Sequence, residues 1–169
     1  MFVKVFVILS LVAIAIEDIR YRSVHVYLFA FLLAGVWYIA FDNNSSSLVY
    51  ERIITNVLFC ILLFGLLNLY YCLKEQRWHW IFDRYLGWGD VVFLLSITAI
   101  WDIYTFIFYV ILSLVLSLLI YLLLISNRSK YIPLAGLQAV VLALVLCLEW
   151  TTLLNFDHYV EMLFTQKVS

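Results

Sequence analysis

The stretch from Ile53 to Leu73, IITNVLFCILLFGLLNLYYCL, contains no charged residue and is long enough to cross a bilayer as a helix. The hydrocarbon core of a membrane is about 30 Å thick and takes about 20 apolar residues of helix. The rest of the chain has the same character: of 169 residues, 67% are hydrophobic and 12% are charged, and the mean hydropathy is +1.07. Soluble domains carry about 25% charged residues. The composition therefore argues against a soluble enzyme and a disordered chain, and predicts an all-α, polytopic membrane protein.

Six apolar runs separated by polar segments predict six transmembrane helices in a single domain over residues 1–169. Six spans take up about 120 positions, which leaves short loops and no room for a second domain. The runs are long blocks, unlike the period-2 alternation of a transmembrane barrel. The first run has the length of a signal peptide, but no small-residue cleavage site follows it, so we expect it to be retained. The predicted spans are 2–16, 24–41, 53–73, 88–101, 104–125 and 131–150.

Basic residues give the expected orientation, because Lys and Arg concentrate in cytoplasmic loops. The loops after the first, third and fifth spans hold seven of the ten basic residues, and the opposite side holds Lys4, Arg52 and Lys167. Both termini are then expected outside the cytoplasm, in the cytoplasmic (inner) membrane of the cell. The seven residues are Arg20, Arg22, Lys74, Arg77, Arg84, Arg128 and Lys130.

Charge balance and cysteine usage argue against nucleic acid and metal ions as binding partners. Lys and Arg number 10 against 11 Asp and Glu, so no excess of positive charge exists to bind nucleic acid. Cys60, Cys72 and Cys147 are scattered and form no C-x-x-C pair, which argues against a zinc site and a disulfide framework. We expect neither a metal nor a cofactor.

Two acids abut apolar runs on the expected cytoplasmic side: Asp18 ends the first run and Asp90 begins the fourth. Glu17 is about 100° from Asp18 around a helix, so these two neighbours cannot face one pocket. Two carboxylates that converge in a partly dry site cannot both ionise easily, which leaves a protonated acid beside a carboxylate base. Such a pair could activate a water and protonate the leaving amine of a peptide bond. This is the chemistry of aspartic proteolysis.

Two glycines precede the second of these acids. Gly87 and Gly89 remove two Cβ atoms in three residues, which permits positive φ and close backbone approach. Peptide hydrolysis in a membrane needs such an approach, because the scissile bond must leave its helix and lie beside enzyme backbone. The alternative is that the two glycines merely start a helix.

Three stretches resemble motifs of the type IV prepilin peptidase and archaeal preflagellin peptidase family, whose members are membrane aspartic proteases with a G-x-G-D motif. Residues 18–24, DIRYRSV, resemble the first-aspartate motif, and residues 87–90, GWGD, resemble the second. Residues 132–136, IPLAG, resemble the family's I-P-F-G-P segment at the start of the last span. The resemblance implies that the catalytic pair is Asp18 and Asp90. It implies supporting positions for Gly87, Gly89, Pro133 and Gly136.

The resemblance also implies a substrate, a prepilin-like membrane protein cut after a short basic leader where its hydrophobic helix begins. Larger bacterial members carry a cytoplasmic zinc-binding cysteine domain and methylate the new N-terminus. This chain has neither those cysteines nor that length, so methyl transfer is not implied. His25 and Val26 stand where the family usually has Pro and then Asn or Asp, and Val92 stands where it often has Lys.

Two other classes of function remain open at this point. The chain could be a catalytically inactive scaffold or assembly partner of a pilus or secretion system, in which Asp18 and Asp90 would be dispensable. A small proton-coupled transporter would need acids near mid-membrane on several spans, and the sequence offers no such relay.

Polar residues inside the predicted spans are expected to serve packing. Asn56, Asn68 and Gln138 should form hydrogen bonds between helices, and Ser113 with Ser117 should form a small-residue packing face.

Overall fold

A computed structural model describes residues 2–21, 23–75, 87–120, 122, 134–151 and 160. These ranges are almost entirely helical. The helices are α1 (Phe2–Tyr21), α2 (Val26–Asn43), α3 (Ser46–Glu75), α4 (Trp88–Ser96), α5 (Ile103–Ile120) and α6 (Leu134–Trp150).

The helices fit a lipid bilayer in length and composition. α2, α3 and α5 are each long and apolar enough to cross a membrane. α6 is apolar but has 17 residues, and α1 has 20 residues that include Lys4, Glu17, Asp18 and Arg20. The prediction of an all-α protein is thus confirmed for the described residues, and three of its helices are compatible with membrane spans. The predicted number of six spans stays a prediction.

Within the described ranges, helix ends differ most from the predicted span ends at three places. α1 continues past Ile16 to Tyr21, and α3 begins at Ser46 rather than at Ile53. Both extensions are polar, because a helix can continue beyond the apolar stretch that faces lipid. α4 ends at Ser96, so the helix predicted over 88–101 is wrong at its C-terminal end. With nine residues it is about 14 Å long, too short to cross the hydrocarbon core alone.

The segment from α4 to Trp101 runs along α6 nearly from end to end. Asp90 accepts a hydrogen bond from the backbone of Ala135, near the start of α6. The Trp101 indole N–H donates to Glu149, near the end of α6, over 3.1 Å. These two α6 positions are 14 residues apart in sequence, which is about 21 Å along a helix.

Asn56 of α3 holds the non-helical part of this segment. Its fully buried side chain donates from Nδ2 to the carbonyl oxygens of Thr98 at 2.8 Å and Trp101 at 2.9 Å. The prediction for Asn56 is a hydrogen bond between helices, and its observed acceptors lie in the non-helical turn after α4 instead. For Gln138 the contact comes from the backbone, since its carbonyl accepts the Tyr109 hydroxyl at 3.1 Å.

The helix packing centres on α1 and α6. α1 packs against α2 and α6, and α6 also contacts α5 and α4, whereas most of α3 is exposed. A Cβ atom at Gly35 of α2 would lie 2.7 Å from Val7 Cγ2 of α1, so this glycine lets the two helices approach closely. Ser113 and Ser117 are both fully buried on α5, as predicted for a packing face.

Six of the basic residues behind the expected orientation lie outside the described ranges. They are Arg22, Arg77, Arg84, Arg128, Lys130 and Lys167.

Candidate functional site

The N-terminus of α6 receives both predicted aspartates. The Gly136 N–H donates to Asp18 Oδ2 at 2.6 Å, and the backbone of Ala135 donates to the Asp90 carboxyl group. The first N–H groups of a helix have no partner within the helix and favour negative charge. Consecutive amides of α6 therefore hold two acids from different helices, and the two carboxyl groups are near enough to interact electrostatically.

Asp18 lies in the last turn of α1 at a very close crossing with α6. A Cβ atom at Gly136 would lie 2.9 Å from Asp18 Cβ and 3.2 Å from the carbonyl oxygen of Ala15. Any side chain at this position would push the two helices apart. The absence of a side chain at Gly136 is thus what allows its amide to reach the Asp18 carboxylate.

Asp90 is the third residue of α4, and it is half-buried. Its backbone N–H donates to the Gly87 carbonyl at 3.1 Å, and the Gly87 backbone donates to its carboxyl group. The second of these bonds, from the N-cap backbone to the acidic side chain at the third helical position, is one half of a capping box and orients that side chain back toward the helix start. The beginning of α4 therefore aims Asp90 toward α6.

Neither Gly87 nor Gly89 uses the positive φ that glycine permits. Gly87 caps α4 with φ of −74°, and Gly89 lies inside the helix with no positive φ. Cβ atoms here would meet Asp90 Oδ2 at 3.4 Å and Phe29 Cζ at 3.6 Å, which are ordinary contacts. The two glycines start a helix, as in the alternative interpretation, and the close backbone approach occurs at Gly136 instead.

Glu17 turns away from the aspartate pair and stabilises the connection between α1 and α2. Its Oε2 accepts the backbone N–H of His25 at 3.0 Å and lies 2.9 Å from His25 Nδ1. His25 is the N-cap residue of α2, with a side chain 65% exposed. The sequence-based separation of Glu17 from Asp18 is confirmed, and His25 is joined to Glu17 rather than to the pair.

Pro133 and Val92 are two further positions that the family motifs single out. Pro133 lies outside the described residues, so its supporting role stays a prediction. Val92, at the place where the family often has Lys, packs against the hydrophobic core. Ala135 was missed by the sequence reasoning, because it contributes a backbone N–H that every residue except proline possesses.

No family model matches the chain, and no curated protein or solved structure is significantly similar to it. The likeness to prepilin peptidases consequently rests on the three short sequence motifs and stays a prediction.

The arrangement suits general acid–base chemistry on a peptide bond. Two interacting carboxyl groups resist double ionisation, so one can stay protonated while the other acts as a base. The same geometry also allows a purely structural role, since carboxylates at a helix N-terminus stabilise that terminus.

Proposed function

We propose that this chain is a membrane aspartic endopeptidase of the prepilin peptidase type. The observation that carries the proposal is the meeting of Asp18 and Asp90, far apart in sequence, on the adjacent amides of Gly136 and Ala135. The G-x-G-D stretch and the glycine at the α6 start lie at this same place. The substrate is a prepilin-like membrane protein, with a basic leader before an apolar helix.

The proposed reaction uses one carboxylate and one carboxylic acid. The carboxylate removes a proton from water as the water oxygen attacks the carbon of the scissile carbonyl, and the carboxylic acid protonates the carbonyl oxygen. Collapse of the tetrahedral intermediate then breaks the C–N bond, and the proton taken from water passes to the leaving amine. As the C=O bond of the new carboxyl group forms, one hydroxyl of the intermediate returns its proton to the second aspartate. Asp18 and Asp90 share these two roles.

The proposed topology has six membrane crossings, with both aspartates at the cytoplasmic boundary and both termini on the other side of the inner membrane. Two observations support it. α2, α3 and α5 are of spanning length, and residues 88–101 run the length of α6 despite the short α4.

Coexpression with a prepilin-like substrate tests the activity through leader removal, read on a gel and by N-terminal sequencing. Asp18→Asn and Asp90→Asn should each abolish cleavage, because an amide can neither supply the acid nor act as the base. Asn caps helices about as well as Asp, so both variants should accumulate normally. Asp42→Asn, at an exposed acid at the end of α2, should cleave like the wild type. Full cleavage by either site variant would contradict the proposal.

The capping geometry favours one second candidate, an inactive scaffold or assembly partner of a pilus or secretion system. In that case the carboxylates only hold α6 in place. Asp18→Asn would then complement a deletion strain fully, whereas Asp18→Ala, which cannot accept the Gly136 N–H, would not.

A further inference from the structure

A groove runs along the outer side of the α1–α6 pair. It has a volume of about 570 Å³ and is lined by α1 from Ile8 to Arg20 and by α6 from Ala139 to Cys147. None of its lining surface is polar. Ile16 and Leu144 on its walls are 55% and 60% exposed, so the groove is open at the surface of the protein.

The dimensions of the groove suit a linear hydrocarbon chain better than a helix. The α1 residues that line it extend over about 18 Å, so the volume of 570 Å³ corresponds to a mean cross-section of about 30 Å². A helix with side chains is about 10–12 Å across and covers roughly 80–110 Å², so only part of it would lie inside the groove. A hydrocarbon chain with neighbours at a carbon–carbon separation of about 4 Å covers roughly 15–20 Å².

One end of the groove carries a positive charge. Arg20 is the only charged residue in the lining, and because the lining surface is apolar, it contributes its methylene stem. Its guanidinium carbon lies 5.4 Å from the ring centroid of Tyr21. Among the residues that the structure describes, no carboxylate pairs with it. A long basic side chain that covers apolar surface with its stem and places its charge at the edge is typical of a membrane boundary.

We propose that this groove is a binding site for one anionic phospholipid. One acyl chain lies along α1 and α6, and the phosphate group binds the Arg20 guanidinium by charge-assisted hydrogen bonds. The occupant combines the two features of the groove, an apolar channel of chain width and a cation at one end. This proposal does not rest on the proposed peptidase activity. Lipid retention can be measured without any substrate, so either proposal can fail while the other stands.

Native mass spectrometry of the full chain tests the proposal. The protein is reconstituted in vesicles of equimolar phosphatidylglycerol and phosphatidylcholine and then extracted in mild detergent. The wild type should retain one phosphatidylglycerol in preference to phosphatidylcholine. Arg20→Gln should lower this retention about fivefold, since a basic residue near an anionic surface contributes on that scale. Ala143→Phe, which fills the groove from α6, should lower the retention of both lipids to background.

The matched control is Ala30→Phe, because Ala30 is exposed on α2 and does not line the groove. It should retain lipid as the wild type does, and all variants should elute as single species of equal size. Unchanged retention in Ala143→Phe, or equal retention of the two lipids by the wild type, would overturn the proposal. A photo-crosslinker can also be attached at Cys147, in the groove wall. Capture of the apolar helix of a coexpressed protein in place of lipid would likewise overturn the proposal.

Discussion

Gly136 is the residue on which the candidate site depends most. Its amide reaches Asp18 only because no side chain stands between α6 and α1, as the distance of 2.9 Å from a Cβ atom there to Asp18 Cβ shows. Gly136→Ala should therefore displace Asp18 from the α6 N-terminus. We expect a loss of about 1–3 kcal/mol in the free energy of unfolding from overpacking, together with a fall in leader cleavage.

Thermal unfolding in detergent measures the first effect, and Gly65→Ala is the control. A Cβ atom at Gly65 of α3 meets nothing within 4 Å. That change should be neutral, or stabilising by up to about 1 kcal/mol, since alanine favours a helix over glycine. Equal unfolding temperatures for Gly136→Ala and the wild type would show that the α1–α6 crossing is looser than described.

For individual residues, the sequence predicted which acids come together more readily than which backbone groups hold them. Asp18 and Asp90 stood out because charge beside apolar runs is rare in this chain. The backbone amides that receive them carry no such signal, because every non-proline residue has one. The same limit applies to Gly87 and Gly89: glycine permits positive φ, but the sequence does not show whether a given glycine adopts it.

Among the elements, the turn after α4 is tied to α3 by side-chain hydrogen bonds, two from the buried Asn56 and one from Arg52 to the Ile100 carbonyl. Asn56 provides hydrogen bonds to the carbonyl oxygens of Thr98 and Trp101. Asn56→Ala would leave both carbonyls buried without this partner. We expect a loss of about 1–3 kcal/mol in stability and faster hydrogen exchange confined to residues 97–101.

Hydrogen exchange with mass spectrometry measures that local effect. Asn43→Ala is the control, since the Asn43 side chain donates to the Ile39 carbonyl at an exposed position. It should leave exchange over residues 97–101 unchanged. If Asn56→Ala protected this segment as well as the wild type does, the link from α3 would not be what orders it.

The hydropathy of the sequence predicts that the helices are present, but it does not predict the residues at which they begin and end. The length of an apolar run indicates where a chain faces lipid, but it does not determine where a helix begins or ends. Glu17 to Tyr21 continue α1 into a polar stretch, and α4 stops at Ser96 although the apolar run continues to Trp101. The Asn56 contacts that engage the turn after Ser96 come from a distant part of the chain, so no local pattern could show that end.

For the whole molecule, the alternating distribution of Lys and Arg predicts which connections face the cytoplasm. The connection between α1 and α2 should be cytoplasmic, and the one between α2 and α3 should not be. Ser23 and Ser45 are exposed in these two connections. In a chain with Cys60, Cys72 and Cys147 replaced, Ser45→Cys should react with a membrane-impermeant maleimide in spheroplasts. Ser23→Cys should react only after lysis, and the opposite labelling pattern would contradict the orientation.

The joint action of Asp18 and Asp90 is the central claim, and the turnover of the purified protein on a leader-bearing peptide tests it most directly. The kcat values of Asp18→Asn, Asp90→Asn and the double variant are compared with that of the wild type. Residues that act as one catalytic unit have strongly non-additive effects. We predict that each single variant loses as much activity as the double variant, about 10³-fold or more. Substantial cleavage by either single variant, with a further loss in the double variant equal to the sum of the two in free energy, would contradict the account.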